Sequence, residues 1–518
     1  MNLRTLLPGR KAAAIVAACA ATAATLAVAP ATAAPMHKDL GETINGNAVN
    51  RHLIALQRIA DQNGGNRATG LPGYDASVEY VAGKLRNAGF DVTTPTFDYT
   101  AWYLDAFALH VDGAPVEGDA LEYSTSTPEG GLTAPLAVVP PDSTPGCEAS
   151  DYDGLDVTGQ VALIQRGECA FADKQRIASE QGASAAIIYN NVEGPLNGTL
   201  GGAEDAVIPT AGVSQAVGED LAGKPGAEVH LDVQARTEEV TARNVVAQTR
   251  TGRADNVVMA GAHLDSVADG AGINDNGTGT AGLLETALKM GSTPDANNAV
   301  RFAFWGAEES GLIGSTKYVQ GLNFEQQLDI AMYLNFDMIG SPNAGYFAYD
   351  GDDSDGEGAG PGPFGSAQIE KDLVEALSST GVEVEGTDFN GRSDYSEFIN
   401  VGIPAGGLFT GAEGVKTEEQ AAKWGGVAGE SYDPNYHTPQ DDLGNVDRLA
   451  LERNTKTIAS VTQLYSQSTE EVNGMTRAER AQVRQQQAAF AAQSLAGAGA
   501  SHADESSSAM HDHTPDRA

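Results

Sequence analysis

The stretch NVVMAGAHLDSV, residues 256–267, decides the fold. Its apolar run reads as a strand, and it ends in two side chains with chemistry, His263 and Asp265. The same grammar recurs outward from it. NVVAQTR precedes it; a helical pattern through GTAGLLETALKM follows; then come AVRFAFWGAEE, another helix, DIAMYLNFDMIG and, later, GGLFT. Strands alternating with helices predict an α/β fold with a mainly parallel, mixed central sheet flanked by helices. Open sheets of this kind bind ligands outside the carboxyl ends of their strands.

Three of the runs end in ligand-type residues: His263 with Asp265, Glu308 with Glu309, and Asp337. Two acids after a strand ordinarily open the next helix, whose dipole favours Glu. A lone strand-end histidine is ordinarily structural, and an NDNG segment is ordinarily a turn. Together, in this order, they point elsewhere. AGINDNGTG supplies Asp275 just before a helix start, and SYDPNYHTPQDD supplies Tyr436 and His437. Imidazoles and carboxylates in one set suit Zn²⁺.

Two ions explain the adjacent glutamates. Successive side chains at a strand end face opposite sides, so Glu309 ligates one ion while Glu308 reaches the water between them. Asp275 then bridges both, His263 and Asp337 hold one, and Glu309 and His437 hold the other. Asp265 is placed to accept from the other ring nitrogen of His263. Two doubly charged ions against three ligand carboxylates leave net positive charge, which binds hydroxide readily near neutral pH.

At 518 residues the chain is too long for one compact core. A formal charge of −39 excludes nucleic acid and anionic membranes as partners. Residues 1–34 read as an export signal: Arg4, Arg10 and Lys11, an Ala-rich apolar stretch, then small residues around Ala31, Ala33 and Ala34. Val16, Ala17, Ala18 and Cys19 faintly match a lipoprotein box, but apolar sequence continues past Cys19. The protein is therefore expected outside the cell, with no membrane attachment after cleavage, and as a monomer. Cys147 and Cys169 remain after cleavage, and an oxidising compartment favours their disulfide. A loop of this length contributes roughly 3 kcal/mol.

The pattern divides the chain into a first segment of the α/β domain (35–105), a β-rich insert (106–238), a second segment of the α/β domain with the metal residues (239–467) and a low-complexity tail (468–518). Helices are expected over Asn47–Ile59 and Ala76–Leu85, with the loop GGNRATGLPGY between them. Short β-rich runs such as TAPLAVV and GQVALIQRG mark the insert. The acidic loop DGDDSDGEG, from Asp350, lacks the sixth-position glycine of an EF-hand and reads as a solvated turn; calcium is possible but unsupported. His511, Asp512 and His513 in the tail read as incidental, as does the sequon at Asn276–Thr278.

GGNRATGLPGY, MAGAHLDSV, GINDNGTG, FAFWGAEESGLIGS, NFDMIGSPN, GRSDYSEF, GIPAGGLFTGAE and YDPNYHTPQDD resemble the secreted bacterial dizinc aminopeptidases of the leucyl aminopeptidase type. The resemblance covers about residues 45–100 and 240–465. It implies the same five ligands, with Glu308 as general base and Tyr436 as donor to the developing oxyanion. It further implies substrate contact by Arg392, an apolar side-chain pocket at Met338 and Phe409, and a cis peptide from Asp275 to Asn276. The segment from Cys147 to Asn191 resembles the protease-associated domain, where a bridge like Cys147–Cys169 occurs and which shapes access to the cleft. Relatives often carry cysteines at the places of Asn435 and Gln440, so this loop is expected to be less rigid. The expected function is removal of N-terminal residues, large apolar ones such as Leu first, from peptides with free N-termini. A dizinc carboxypeptidase and an inactive receptor-like binding protein are the competing readings.

Overall fold

Eight strands form the sheet that the apolar runs predict: β1 (Asp91–Thr93), β2 (Val245–Gln248), β3 (Arg253–His263), β4 (Asn298–Trp305), β5 (Ile330–Phe336), β6 (Phe347–Tyr349), β7 (Glu385–Thr387) and β8 (Ala405–Phe409). The computed structural model describes residues 38–474, except 192, 193, 195, 197, 357 and 359, together with 478, 479, 482 and 483. The expected leader with Cys19, and the histidines of the tail, lie outside the described residues. Strand order is β1-β2-β4-β3-β5-β8-β6-β7. The central run β4-β3-β5-β8 is parallel, while the pairs β1–β2, β2–β4 and β8–β6 are antiparallel.

Both faces of the sheet are covered, which is why its strands read as continuous apolar runs. On one face Val258, Ala260, Ala262, Phe302, Phe304, Leu334 and Phe336 share a core with Leu53, Leu56, Val78, Leu283 and Ile458. Those partners come from helices α1 (Gly46–Gln62), α2 (Pro72–Asn87), α3 (Gly279–Met290) and α4 (Arg448–Gln467). On the other face Met259, Ala303, Trp305 and Tyr333 pack with Tyr395 and Phe398. Period-two alternation puts His263 on this second face, two steps beyond Gly261 and four beyond Met259. Gly261 is required there: a Cβ would lie 2.2 Å from the Tyr333 hydroxyl and 2.6 Å from Trp305 Nε1. The two groups it admits are hydrogen-bonded to each other at 2.8 Å.

A second eight-stranded sheet forms the insert. Its inner strands Leu132–Val138, Val161–Gln165, Ala185–Tyr189 and Thr210–Val213 pair in parallel. The Cys147–Cys169 disulfide lies beside them. Not all its strands are short, as the sequence suggested. Thr96–Val111 and Glu228–Arg243, 16 residues each, pair antiparallel from Thr96↔Arg243 to Val111↔Val229. Their middles, around Leu104–Ala106 and Thr237–Glu239, are exposed, so no apolar alternation announces their length. Phe97, Tyr99, Ala101 and Ala242 of this ladder form one cluster with Ala307, just past the carboxyl end of β4.

The loop from Asp350 is not simply solvated. Asp350 is buried and accepts the backbone N–H groups of Asp352, Ser354 and Asp355. These bonds hold its carboxyl below the usual carboxylate range, against the upward push of burial. Among the described residues no helix is long and apolar enough to cross a membrane.

Candidate metal centre

The carboxyl ends of β3, β4 and β5 converge on one buried cluster. His263 closes β3, and its Nε2 lies 3.1 Å from Asp275 Oδ1 and 3.2 Å from Asp337 Oδ1. His437 Nε2 lies 3.1 Å from Asp275 Oδ2 and 3.0 Å from Glu309 Oε2. Asp275 thus turns one oxygen to each histidine. Glu308 sits on the His263 side, its Oε2 3.8 Å from Nε2. Asp265 faces the other ring nitrogen, Nδ1, at 3.6 Å.

The two glutamates reach these positions by a turn, not by the strand pleat that the sequence suggested. β4 ends at Trp305; Ala307 then takes the left-handed region, φ 52°, and throws Glu308 and Glu309 apart. Met338 (φ 45°) and His437 (φ 57°) take the same region beside the cluster. Such conformations cost on the order of 1–3 kcal/mol each in a non-glycine residue and persist where surroundings over-determine them.

Without a cation the charges are in conflict. Burial would lower the His263 pKa, but the carboxylates of Glu308 and Asp337 outweigh it and hold it well above its ordinary value. His437 is pushed up to about 10, Glu309 leading the carboxylates that overcome its burial. Burial raises Glu308 and Glu309, while the two imidazoles outweigh burial at Asp275 and lower it. Glu309 Oε1 and Asp337 Oδ1 are buried and accept no hydrogen bond. Donor atoms 3.0–3.2 Å apart suit a tetrahedral ion, whose bonds of about 2.0 Å imply ligand edges of about 3.3 Å. Zinc fits this donor set.

Residues that the sequence reading left without a role hold the cluster in shape. Arg67, fully buried in the GGNRATG loop, donates from Nε to Ala271 O at 2.8 Å, and its other nitrogens donate to Leu264 O and Gly272 O. It pins both sides of the segment that leads into Asp275. Asp441 accepts the N–H groups of Asn274 (2.7 Å) and Asp275 (2.9 Å). Asn445 donates to Asp441 and to both oxygens of Asp433, and Asn435 donates to Asn445 at 2.8 Å. This amide–carboxylate net ties the loop at Asn435, so the loop is not left loose as expected from the sequence. Ser393 donates to Asp337 Oδ2 at 2.6 Å. The Asp275–Asn276 peptide is cis. The signal for Arg67, Asp433 and Asp441 was their place inside the motif segments.

A cavity of about 200 Å³ opens beside His263 and Asp337 and is walled by Met338, Phe347, Phe409 and Tyr436. Arg392 at its rim donates to Glu413 at 2.6 Å. Tyr436 stacks on His437, centroids 3.8 Å apart, and burial holds its phenol well above the usual range.

A buried set of imidazoles and carboxylates at parallel strand ends, with a β-rich module spliced into the chain, defines a metallohydrolase of the α/β class. The chain belongs to peptidase family M28, whose model matches residues 244–462, and the PA domain matches residues 132–221. It is 50% identical over 440 residues to the Mycobacterium tuberculosis protein named "Probable lipoprotein aminopeptidase LpqL", covering 84% of this chain and 88% of that one. The solved aminopeptidase of Aneurinibacillus sp. strain AM-1 superposes with a TM-score of 0.65 at 29% identity, over 82% of this chain and 94% of that one. A zinc aminopeptidase from Bacillus subtilis gives 0.61 at 26% identity, over 80% and 94%.

Asp441→Ala strips the acceptor from two buried N–H groups while touching no ligand atom. It is expected to weaken zinc about 10–100-fold in competition with a chelator. Unchanged affinity would show that the Asp275 loop keeps its shape unaided.

Proposed function

We propose that the protein is a secreted aminopeptidase that uses two zinc ions to remove N-terminal residues from peptides, large apolar ones such as leucine first. The observation that carries this reading is the division of Asp275 between His263 and His437, 3.1 Å on each side, as a carboxylate shared by two cations requires. His263 and Asp337 would hold one ion, Glu309 and His437 the other, and Asp275 both. Relatives named as aminopeptidases support that activity, and the solved zinc aminopeptidase from Bacillus subtilis supports zinc.

Zinc, when bound, polarises the scissile carbonyl and makes water acidic near neutral pH. Glu308 takes the proton of the attacking water and returns it to the leaving amine; burial, which raises its carboxyl, makes it a willing acceptor. Tyr436 stays protonated and donates to the oxyanion as charge develops there. The carboxylates of Glu308 and Asp337 receive the free amine of the substrate. Met338 and Phe409 enclose its first side chain, with Arg392, braced by Glu413, at the rim. Asp265 keeps the His263 ring aimed at its ion.

In this reading residues 35–105 and 239–467 form the peptidase domain, 106–238 the insert and 468–518 a low-complexity tail, of which Thr469 and Val472 are still packed against the peptidase domain. The protein works as a monomer on peptides, with no nucleic acid or membrane partner. A leader cleaved near Ala34 makes it a secreted enzyme. The lipoprotein named among the relatives favours one second reading, retention through lipidated Cys19. The mass of the mature N-terminus separates the two: a chain beginning near residue 35 is expected, and a diacylglyceryl-cysteine would overturn it.

Leu-p-nitroanilide and an N-acyl dipeptide test the activity together. The wild-type protein is expected to hydrolyse only the first, and Glu308→Ala to lower kcat by about 10²–10⁴-fold with its zinc content unchanged. Turnover of the blocked peptide alone would make the protein a carboxypeptidase, and loss of zinc in the variant would make Glu308 a ligand.

A further inference from the structure

Three successive N–H groups just past the end of β4 are each taken by a side chain from a different part of the chain. Gly306 donates to Asn244 Oδ1 at 3.0 Å, Ala307 to Thr69 Oγ1 at 2.8 Å and Glu308 to Asp265 Oδ1 at 3.4 Å. Asn244 stands just before β2, Thr69 in the GGNRATG loop and Asp265 just past β3. Gly306, Ala307 and Glu308 are all buried, so water does not replace an acceptor that is lost.

The peptide planes on either side of the Ala307 Cα define its φ and ψ. One plane is anchored through the Ala307 N–H to Thr69, the other through the Glu308 N–H to Asp265, and the Thr69 bond is the shorter. The left-handed φ of 52° is held by this pair of anchors, and with it the departure of Glu308 toward His263 and of Glu309 toward His437.

Thr69 is itself held from behind. Its carbonyl accepts the Tyr99 hydroxyl at 3.4 Å. Gly70 lies so close to the same surface that a Cβ would stand 3.2 Å from both the Tyr103 hydroxyl and Val240 Cγ1. Tyr99, Tyr103 and Val240 belong to the long ladder of the insert, so the loop is clasped between that ladder and the turn that carries Glu308.

We propose that Thr69 is the positioning residue of the general base: its hydroxyl, backed by the insert's ladder, sets the Ala307 turn and thereby the place of Glu308. This rests on the aminopeptidase reading, which fails separately if the wild-type protein leaves Leu-p-nitroanilide intact.

Two conservative substitutions divide the side chain into its parts. Thr69→Val keeps the branched shape and loses the acceptor; Thr69→Ser keeps the acceptor and loses a methyl group. With Leu-p-nitroanilide and excess zinc, Thr69→Val is expected to lower kcat about tenfold to a hundredfold with KM within about threefold of wild type, and Thr69→Ser to keep both within about threefold. A role in packing alone would reverse the order, because only serine leaves a void. Wild-type kcat in Thr69→Val, a loss confined to KM or to the yield of folded protein, or an equal loss in Thr69→Ser overturns the proposal.

Discussion

The Asp275 carboxylate lies between two imidazoles, and much of the chain is arranged to keep it there. A carboxylate buried this deeply cannot be left uncompensated, because desolvating a lone charge costs several kcal/mol or more. Its backbone is fixed by Asp441, its approach by Arg67, and its partners His263 and His437 arrive from the end of β3 and from a loop some 170 residues later. Asp337 and Glu309 close the two ends of the cluster. The parallel sheet serves this geometry: adjacent strands bring His263 and Asp337 to one level on one face.

The density of acid around that point sets the chemistry. Burial and mutual repulsion raise Glu308 and Glu309, and the histidines rise against their own burial in answer. Divalent cations resolve the conflict by replacing protons on every ligand at once. Glu308 alone is turned off the shared axis, its Oε2 3.8 Å from His263 Nε2, as the proposed division between a proton-moving residue and metal-holding ones would require.

The strands and the residues at their ends were legible because burial on both faces writes itself as apolar runs, and because imidazole and carboxylate at the ends of three successive runs add up to a pattern that none of them makes alone. Glu308 and Glu309 do point apart, but through a turn and not through the strand pleat. Nothing in FWGAEES signals that Ala307, a non-glycine, adopts a positive φ. The roles of Arg67, Asp433 and Asp441 could not be read beyond their place in the motif segments, and Asn445 gave no signal, because they act by hydrogen-bonding particular backbone groups and amides, which leaves no periodic trace. The same holds for Asp350, whose inward turn is set by three backbone N–H groups and not by its acidic neighbours. The long ladder under the insert escaped notice because its exposed middle carries no apolar alternation.

That ladder meets the first sheet at Ala307, so the insert and the candidate metal centre share a boundary one residue from Glu308. The account as a whole stands on two cations flanking Asp275. Anomalous diffraction at the zinc edge from crystals of the metal-loaded protein tests it most directly. Two peaks about 3.5–4 Å apart are predicted, one between His263 and Asp337 and one between Glu309 and His437, each within bonding distance of Asp275. A single peak, or peaks remote from Asp275, would contradict it.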